Sequence, residues 1–154
     1  MNTLRKISFI FAALGILISG ALVSSQASAQ EGARASEPDA IQAFGGKAGL
    51  TKIMDDFMIG LLADKRTASF FKDADQVRVK EQLVMQICEI LNGGCVYAGA
   101  KMKPIHRELG INRENFNALV EQLQLAMDKH NVPFRAQNKL LAVLAPMHRD
   151  IVTK

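Results

Sequence analysis

Apolar residues recur at every third or fourth position along most of the chain, which is the spacing of amphipathic helices. Residues 47–62 show this pattern first, and a short segment with two phenylalanines follows at residues 68–71. Residues 75–91 carry two apolar stripes, so this helix must contact two different partners. One stripe contains Val77, Val84, Cys88 and Leu91, and the other contains Val79, Leu83, Ile87 and Ile90. No segment alternates cleanly with a period of two, so the pattern predicts an all-α fold.

Capping and helix-breaking residues divide the second half of the chain into further helices. The double glycine Gly93-Gly94 is expected to stop the helix before it. Asn112 is a suitable N-cap for a long helix, and Pro133 suits the start of the last one. Pro146 lies inside that last helix and should kink or break it. About five helices with short connections are therefore expected.

The N-terminal residues are typical of a secretory signal peptide. Arg5 and Lys6 precede an apolar run over residues 9–23, and residues 27–29 (Ala-Ser-Ala) supply a cleavage site of small residues. A retained membrane anchor is the alternative, but the run is short for a spanning helix and the cleavage pattern argues against it. The sequence therefore predicts an exported protein of the bacterial periplasm, with no stable membrane insertion after cleavage.

Cleavage after Ala29 would leave a chain long enough for one domain with a single core. We expect residues 1–29 to be the signal peptide, residues 30–38 to be a flexible leader, and residues 39–154 to form the domain. Removal of the signal peptide takes away two basic residues and no acidic one, so the formal net charge falls from +4 to +2. Such a weak bias, with no basic stripe interleaved with aromatic residues, argues against a nucleic-acid partner.

The two cysteines, Cys88 and Cys95, are candidates for a disulfide, since an exported location permits one. Seven residues of continuous helix would hold their Cα atoms about 10 Å apart, beyond bridging range. The double glycine between them can turn the chain back and remove that obstacle. We predict a disulfide, with two free buried thiols as the alternative. No histidine lies near the pair in the sequence, so a metal site there is not expected.

His106 is the most informative residue of the chain. It follows the double glycine, precedes a long helix, and is flanked by Ile105 and Leu109 at helical spacing, on the side expected to face a core or a bound group. A single imidazole at such a junction suits a helical protein that holds a haem iron from one side. A chain of about five helices also has little apolar surface to spare for its aromatic residues. A flat apolar cofactor between helices would help to bury Phe57, Phe70, Phe71 and Phe116.

A series of short motifs surrounds His106 along the chain. They are Phe44-Gly45-Gly46, Asp55-Asp56-Phe57, Leu62-Ala63-Asp64, Phe70-Phe71, Gly93-Gly94, Tyr97-Ala98-Gly99, Met102, Leu109-Gly110-Ile111, Phe116, Val132-Pro133 and Ala145-Pro146. Their joint order and spacing resemble a group I truncated haemoglobin, from about Phe44 to Val152. The resemblance implies a truncated globin fold, a two-over-two helical sandwich around haem b, with His106 as the proximal iron ligand. No Cys-x-x-Cys-His motif occurs, so c-type attachment is not indicated.

The resemblance also implies which side chains line the haem. They are His106, Phe57, Met58, Phe71, Val79, Leu83, Tyr97, Met102, Ile111, Phe116 and Leu144. Tyr97, together with Lys80 and Lys101, would lie at the haem edge, where cations or donors can pair with the propionates. Solvated surface charge is the alternative for each lysine. We expect His130 to cap a helix and His148 to lie toward the exposed side of the last helix, so neither is expected to bind iron.

The distal side departs from the family pattern. The family often carries a tyrosine directly after the Asp-Asp-Phe motif and glutamines on the distal helix, which hydrogen-bond to bound oxygen. Met58 stands at the tyrosine position, and Val79 and Leu83 take the inward positions of the distal helix. Gln82 and Gln86 should point partly elsewhere. A pocket without donors forfeits roughly 1–3 kcal/mol of charge-assisted bonding to oxygen. Oxygen should therefore leave faster, and NO and CO should be favoured in relative terms.

Four functions compete on these observations. The first is reversible binding of a diatomic gas, for oxygen transport or NO scavenging, by a protein that is not itself an enzyme. The second is a haem enzyme. Peroxidase activity requires a distal acid–base group, and the sequence offers no good candidate for one. An NO dioxygenase needs mainly bound oxygen and a reductant, which the sequence does not identify. The third is electron transfer with Met58 as sixth iron ligand, although a methionine that fills a pocket wall is commoner. The fourth, a helical interaction module without a cofactor, leaves the His106 segment unexplained.

Overall fold

The computed structural model describes residues 40–154, which are helical with irregular connections and no strand. The all-α prediction is thereby confirmed. The signal peptide and leader predicted for residues 1–38 lie outside the described residues. None of the helices in residues 40–154 is long and apolar enough to cross a membrane. The α-helices are α1 (Gly46–Ala63), α2 (Ala68–Phe71), α3 (Gln76–Ile90), α4 (Met102–His106), α5 (Arg113–Lys129), α6 (Phe134–Leu144) and α7 (His148–Ile151), with short 3-10 helices at Ala40–Phe44 and Ala145–Met147.

Helix α1 lies at the centre of the packing, because α3 and α5 both pack against it. Its apolar residues recur at the predicted three-to-four spacing, and the face that they form is buried. Helix α3 contributes its buried face to the same core and also packs against α6. The contiguous core contains Leu50, Ile53, Met54, Phe57 and Leu61 of α1, Val84, Ile87 and Cys88 of α3, Leu123, Ala126 and Met127 of α5, and Leu140 of α6.

Helix α3 ends differently from the prediction. Asn92 adopts a left-handed conformation, with φ 53°, and its N–H donates to the Glu89 carbonyl at 3.0 Å. The N–H of Gly93 donates to the Cys88 carbonyl at 2.8 Å, which completes a Schellman motif. Gly93 is needed for a close approach, since a Cβ there would collide with Ile41. The asparagine therefore ends the helix, and the glycine lets the chain pass over the core.

The remaining helix boundaries follow the capping residues that the sequence supplies. Asn112 accepts a hydrogen bond from the Asn115 N–H at 2.9 Å and the two residues form a reciprocal capping box, so the predicted N-cap is confirmed. Pro133 is the N-cap of α6 rather than its first helical residue. Pro146 lies in the 3-10 segment that separates α6 from α7, so the predicted break is confirmed. About five helices were expected, whereas residues 40–154 contain seven α-helices. The break at Pro146 and the separate helix α4 account for the difference.

Charged side chains join the end of α1 to α5. Asp64 accepts hydrogen bonds from the Arg66 guanidinium, the shortest at 2.7 Å, and from the Gln122 amide at 3.1 Å. The same guanidinium pairs with Glu121 at 2.7 Å. These hydrogen bonds, above all those from Arg66, hold the pKa of Asp64 well below its usual range. They raise the pKa of Arg66 in return.

We expect Asp64→Asn to weaken the dependence of stability on acid pH. A carboxylate with a depressed folded pKa stabilises the fold fully above its unfolded pKa, which is near 3.8 for this group. The contribution is lost as the pH falls through the lower folded pKa. Urea unfolding at pH 7 and pH 3 should show a smaller loss of unfolding free energy in the variant than in the wild type. Asp73→Asn is the control, because the side chain of Asp73 is 86% exposed and lies 3.9 Å from Lys72. If Asp64→Asn lost as much unfolding free energy between pH 7 and pH 3 as the wild type, Asp64 would not have the lowered pKa that its hydrogen bonds imply.

Candidate functional site

His106 is the last residue of the short helix α4, and its side chain is half-buried. Its Nδ1 lies 2.7 Å from the carbonyl oxygen of Met102, one helical turn earlier. The carbonyl can only accept, so Nδ1 carries the proton and donates it, and the lone pair of Nε2 stays free. A backbone carbonyl on one ring nitrogen fixes the tautomer and orientation of a histidine that binds metal through the other. The imidazole is therefore prepared to donate one axial bond.

The segment that follows His106 is fastened to the end of the chain. Helix α4 packs against α7. The carbonyl of Ile111, a residue that is only 8% exposed, accepts hydrogen bonds from the N–H groups of Thr153 at 2.8 Å and Lys154 at 3.2 Å. These hydrogen bonds hold Ile111, which follows His106 by five residues, against the last residues of the chain. Because they join backbone groups, the pattern of side chains in the sequence could not have predicted them.

The two apolar residues that flank His106 do not face the core. Ile105 and Leu109 are each 47% exposed, so they do not face the protein core, and the expectation that they face a bound group stays a prediction. Helix α4 has only five residues and sits at the surface against α7, which leaves both side chains toward solvent. Met102, one turn before His106, is half-buried as well as being the hydrogen-bond partner of the ring.

The two neighbours Phe57 and Met58 on α1 have different surroundings. Phe57 is 2% exposed and belongs to the contiguous core, so the structure gives it a packing role. Met58 is 3% exposed but lies outside that cluster. The assignment of both residues to the haem pocket stays a prediction.

Helix α3 buries its apolar residues to different depths. Val84 is 5% exposed, whereas Val79 and Leu83 are half-buried, and Val77 is 64% exposed. Val84 is therefore the most deeply buried valine of this helix, and it belongs to the contiguous core together with Cys88 and Leu91 of the same predicted stripe. The place of Val79 and Leu83 in the haem pocket stays a prediction.

The two glutamines of α3 contact other parts of the protein. The Gln86 amide nitrogen lies 4.0 Å from the sulfur of Met147. The side-chain oxygen of Gln82 lies where a Cβ of Gly99 would be, next to the ring of Tyr97. Both amides thus contact neighbouring segments, and the expected shortage of donors in the pocket stays a prediction.

Half-buried apolar side chains surround these elements. Phe71, Leu83 and Leu144 pack against the core from its edge without being fully covered. Phe116 on α5 meets the imidazole of His148, with ring centroids 6.2 Å apart. His148 is half-buried, so its predicted place on the exposed side is wrong, and its Nδ1 lies 3.1 Å from the Ala145 carbonyl.

The polar residues predicted at the haem edge have partners of their own. The Tyr97 hydroxyl donates to the Ala100 carbonyl at 3.0 Å. The ammonium group of Lys80 pairs with Asp55 of α1 at 2.5 Å, while Lys101 is exposed at the N-cap of α4. His130 is the C-cap of α5, as expected, and its Nε2 lies 2.7 Å from Asp56. Lys80 is therefore engaged in an interhelical ion pair rather than free for a propionate.

Cys88 and Cys95 are joined by a disulfide, with Cα atoms 5.6 Å apart. That separation lies within the usual range for a disulfide. Helix α3 ends at Ile90, so the chain between the two residues is a turn and not a continuous helix. The turn brings Cys95 back onto Cys88, which is fully buried.

These observations fit a haem group. The structure offers the imidazole of His106, whose Nδ1 donates to a carbonyl and whose Nε2 is left for a metal, and several large apolar side chains that remain half-covered at the edge of the core. Covering such side chains with a flat ring is favourable at about 25 cal/mol per Å² of apolar surface buried. A neutral imidazole is a stable axial ligand for haem iron. Fold and donor set together define the class of helical proteins that bind haem through one histidine.

Comparison with known sequences identifies the family within that class. The family model "Bacterial-like globin" matches residues 39–153, and the chain belongs to this family. A group 1 truncated haemoglobin of Mycolicibacterium paratuberculosis is 30% identical over 121 residues, covering 78% of this chain and 89% of the relative. A group 1 truncated haemoglobin of a Synechocystis species is 29% identical over 116 residues, covering 71% and 94% respectively.

Solved structures agree with the fold. The Fe(III) form of the truncated haemoglobin of Tetrahymena pyriformis superimposes with a TM-score of 0.70 at 23% identity, covering 75% of this chain and 98% of that one. The 2/2 haemoglobin of a Synechococcus species, in a cyanomet state with covalently attached haem, gives 0.68 at 22% identity, with coverage of 75% and 98%. The predicted truncated globin fold is confirmed. Globins bind diatomic gases at haem, and haem b is the cofactor.

Proposed function

We infer that this protein binds oxygen, NO or CO reversibly at haem iron held by the imidazole of His106. One observation carries the proposal. The Met102 carbonyl fixes the proton of His106 on Nδ1 and leaves Nε2 free. His148 has a similar hydrogen bond, from Nδ1 to the Ala145 carbonyl at 3.1 Å, but only His106 follows Tyr97-Ala98-Gly99 and Met102 in the order that resembles a truncated haemoglobin. His130 faces Asp56, and His148 packs on Phe116.

The distal side of the proposed pocket is apolar. We assign Met58 of α1 and Val79 and Leu83 of α3 to it, and the amides of Gln82 and Gln86 contact Gly99 and Met147 respectively. Without a donor, bound oxygen is held less firmly, while NO and CO depend less on such a bond. We therefore favour NO scavenging or low-affinity oxygen binding and transport over tight oxygen storage. An NO dioxygenase activity would in addition require a reductant.

The proposed location is the bacterial periplasm, reached through a signal peptide over residues 1–29. The disulfide supports this proposal, since such bonds persist in oxidising compartments and are rare in the cytosol. Residues 39–154 then act as a single globin domain after a short leader.

Electron transfer is the second candidate, because Met58 stands on α1 at the position where the family often carries a distal tyrosine. Its thioether could supply a second protein ligand to iron held by His106. In that case exogenous gas would have to displace the methionine before it could bind.

A visible spectrum separates these candidates. We expect the haem-loaded protein, reduced with dithionite, to form a clean CO adduct and its ferric form to show an exchangeable high-spin iron. A low-spin ferrous spectrum that does not respond to CO would instead support electron transfer. Absence of a Soret band after haem loading would reject both. NO turnover in the presence of a reductase would then distinguish an enzyme from a reversible binder.

A further inference from the structure

The connection between α3 and α4, residues 91–101, runs back along α3 instead of away from it. Cys95 is bonded to Cys88 near the C-terminal end of α3. The N–H of Tyr97 donates to the Glu89 carboxylate at 3.1 Å. Gly99 lies so close to the Gln82 side chain that a Cβ there would collide with it. We call residues 91–101 the return segment, and it holds three contacts along two turns of the helix.

The three contacts differ in strength. The hydrogen bond to Glu89 is exposed to solvent, so water competes for both partners. The approach of Gly99 to Gln82 is a packing contact with a flexible side chain. Only the disulfide is covalent. It is therefore the one contact that thermal opening of the segment does not break.

The return segment leads directly into the helix that carries His106. Lys101 is its last residue and also the N-cap of α4, and His106 follows five residues later. Downstream, Ile111 is held by the N–H groups of Thr153 and Lys154. The His106 segment is thus fastened at both ends, upstream to the distal helix α3 and downstream to the end of the chain.

We propose that the Cys88–Cys95 disulfide positions His106 by strapping the return segment to α3, so that haem is retained tightly only while this bond is intact. The inference rests on the proposed function, because it takes His106 as the iron ligand. It makes Cys95 a positioning residue that acts through the backbone of residues 96–101. Groups that orient a metal ligand typically change metal affinity 10–100-fold when they are lost.

A dithiol reductant can reverse the strap by thiol–disulfide exchange. Cys88 is fully buried and Cys95 is half-buried, so a thiolate of the reductant attacks Sγ of Cys95. A mixed disulfide forms there, the Cys88–Cys95 bond breaks, and its electron pair leaves on Cys88 Sγ, which takes up a proton. The second thiolate of the reductant then displaces Cys95, which is also protonated. The reductant is oxidised by two electrons and the protein disulfide is reduced by two.

The first experiment compares haem loss from the wild type and from Cys95→Ser. Haem transfer from the ferric protein to an excess of apomyoglobin should be about ten-fold faster from the variant. The iron–histidine stretching band of the ferrous protein should broaden or shift, which a general loss of stability would not cause. Hydrogen exchange should increase over residues 92–106 and stay unchanged in α5.

A matched control separates positioning from stability. Thr67 is 1% exposed and its hydroxyl donates to the Leu61 carbonyl at 2.7 Å, so Thr67→Val removes a buried hydrogen bond far along the chain from the strap. The proposal is overturned if haem is lost from Cys95→Ser at the same rate as from the wild type. It is also overturned if Cys95→Ser and Thr67→Val have equal unfolding free energies and lose haem at equal rates. If Cys95→Ser does not fold, the folded wild-type holoprotein is compared before and after treatment with dithiothreitol, and unchanged haem transfer overturns the proposal in the same way.

Failure of the proposed function gives a different result. A wild-type protein that takes up no haem, or binds it without a histidine signature, contradicts the assignment of His106. Hydrogen exchange of the haem-free protein still tests the strap in that case. Faster exchange over residues 92–106 in Cys95→Ser supports it, and identical exchange in both proteins overturns it.

Discussion

Replacement of His106 by alanine should increase the rate of haem loss at least about a hundred-fold, which corresponds to roughly 2.7 kcal/mol of binding free energy. The Nε2 of His106 is the donor that the proposed function assigns to iron, and the Nδ1 of the same ring is hydrogen-bonded to the Met102 carbonyl at 2.7 Å. Alanine leaves the apolar contacts with the ring but removes the coordinate bond. Haem transfer to apomyoglobin measures the rate, and resonance Raman spectroscopy of the ferrous protein should show no iron–histidine band.

Two controls make this result specific. His148→Ala removes a half-buried histidine whose Nδ1 is likewise placed against a backbone carbonyl, and we expect it to keep the iron–histidine band of the wild type. Imidazole added to His106→Ala should restore a nitrogen-ligated spectrum, because the cavity left by the side chain admits the free ring. A His106→Ala protein with an unaltered axial signature would show that another residue holds the iron.

The helical framework was predictable from the sequence because it depends on local rules. The three-to-four spacing in α1 and the capping side chain of Asn112 act within one or two turns, and the structure has them as expected. Pro146 broke the last helix for an equally local reason. The end of α3 was predicted less well, because both asparagine and glycine can adopt the left-handed conformation. Asn92 adopts it two residues ahead of Gly94 in the sequence, so the helix ends earlier than the double glycine suggests.

The candidate site was only partly predictable, because much of it depends on contacts between distant segments. The pairing of Lys80 with Asp55 joins two helices, and nothing near Lys80 in the sequence signals it. The partial burial of His148 depends on its contact with Phe116. The exposure of Ile105 depends on how α4 packs against α7. The hydrogen bond from His106 to Met102 is by contrast a contact over one turn, so the spacing of these two residues could have predicted it.

The oxygen affinity should respond most to position 58. Met58 is 3% exposed and lies outside the contiguous core, next to Phe57 on the central helix. Tyr in its place would bring a hydroxyl donor into the proposed distal pocket. A hydrogen bond to bound oxygen, which carries partial negative charge, contributes about 1.4 kcal/mol, so oxygen should dissociate roughly ten-fold more slowly from Met58→Tyr. Flash photolysis and stopped-flow displacement by CO measure this rate.

Met58→Phe is the matched control, since it adds the aromatic ring without the hydroxyl. We expect its oxygen dissociation rate to stay within about two-fold of the wild type, and CO dissociation to change little in either variant, because CO depends less on a donor. Equal slowing by Tyr and Phe would assign the effect to ring volume. No change in either variant would place Met58 outside the ligand pocket. A ferric spectrum that turns from low-spin to high-spin in Met58→Phe would instead identify the thioether as the sixth ligand, and with it electron transfer as the function.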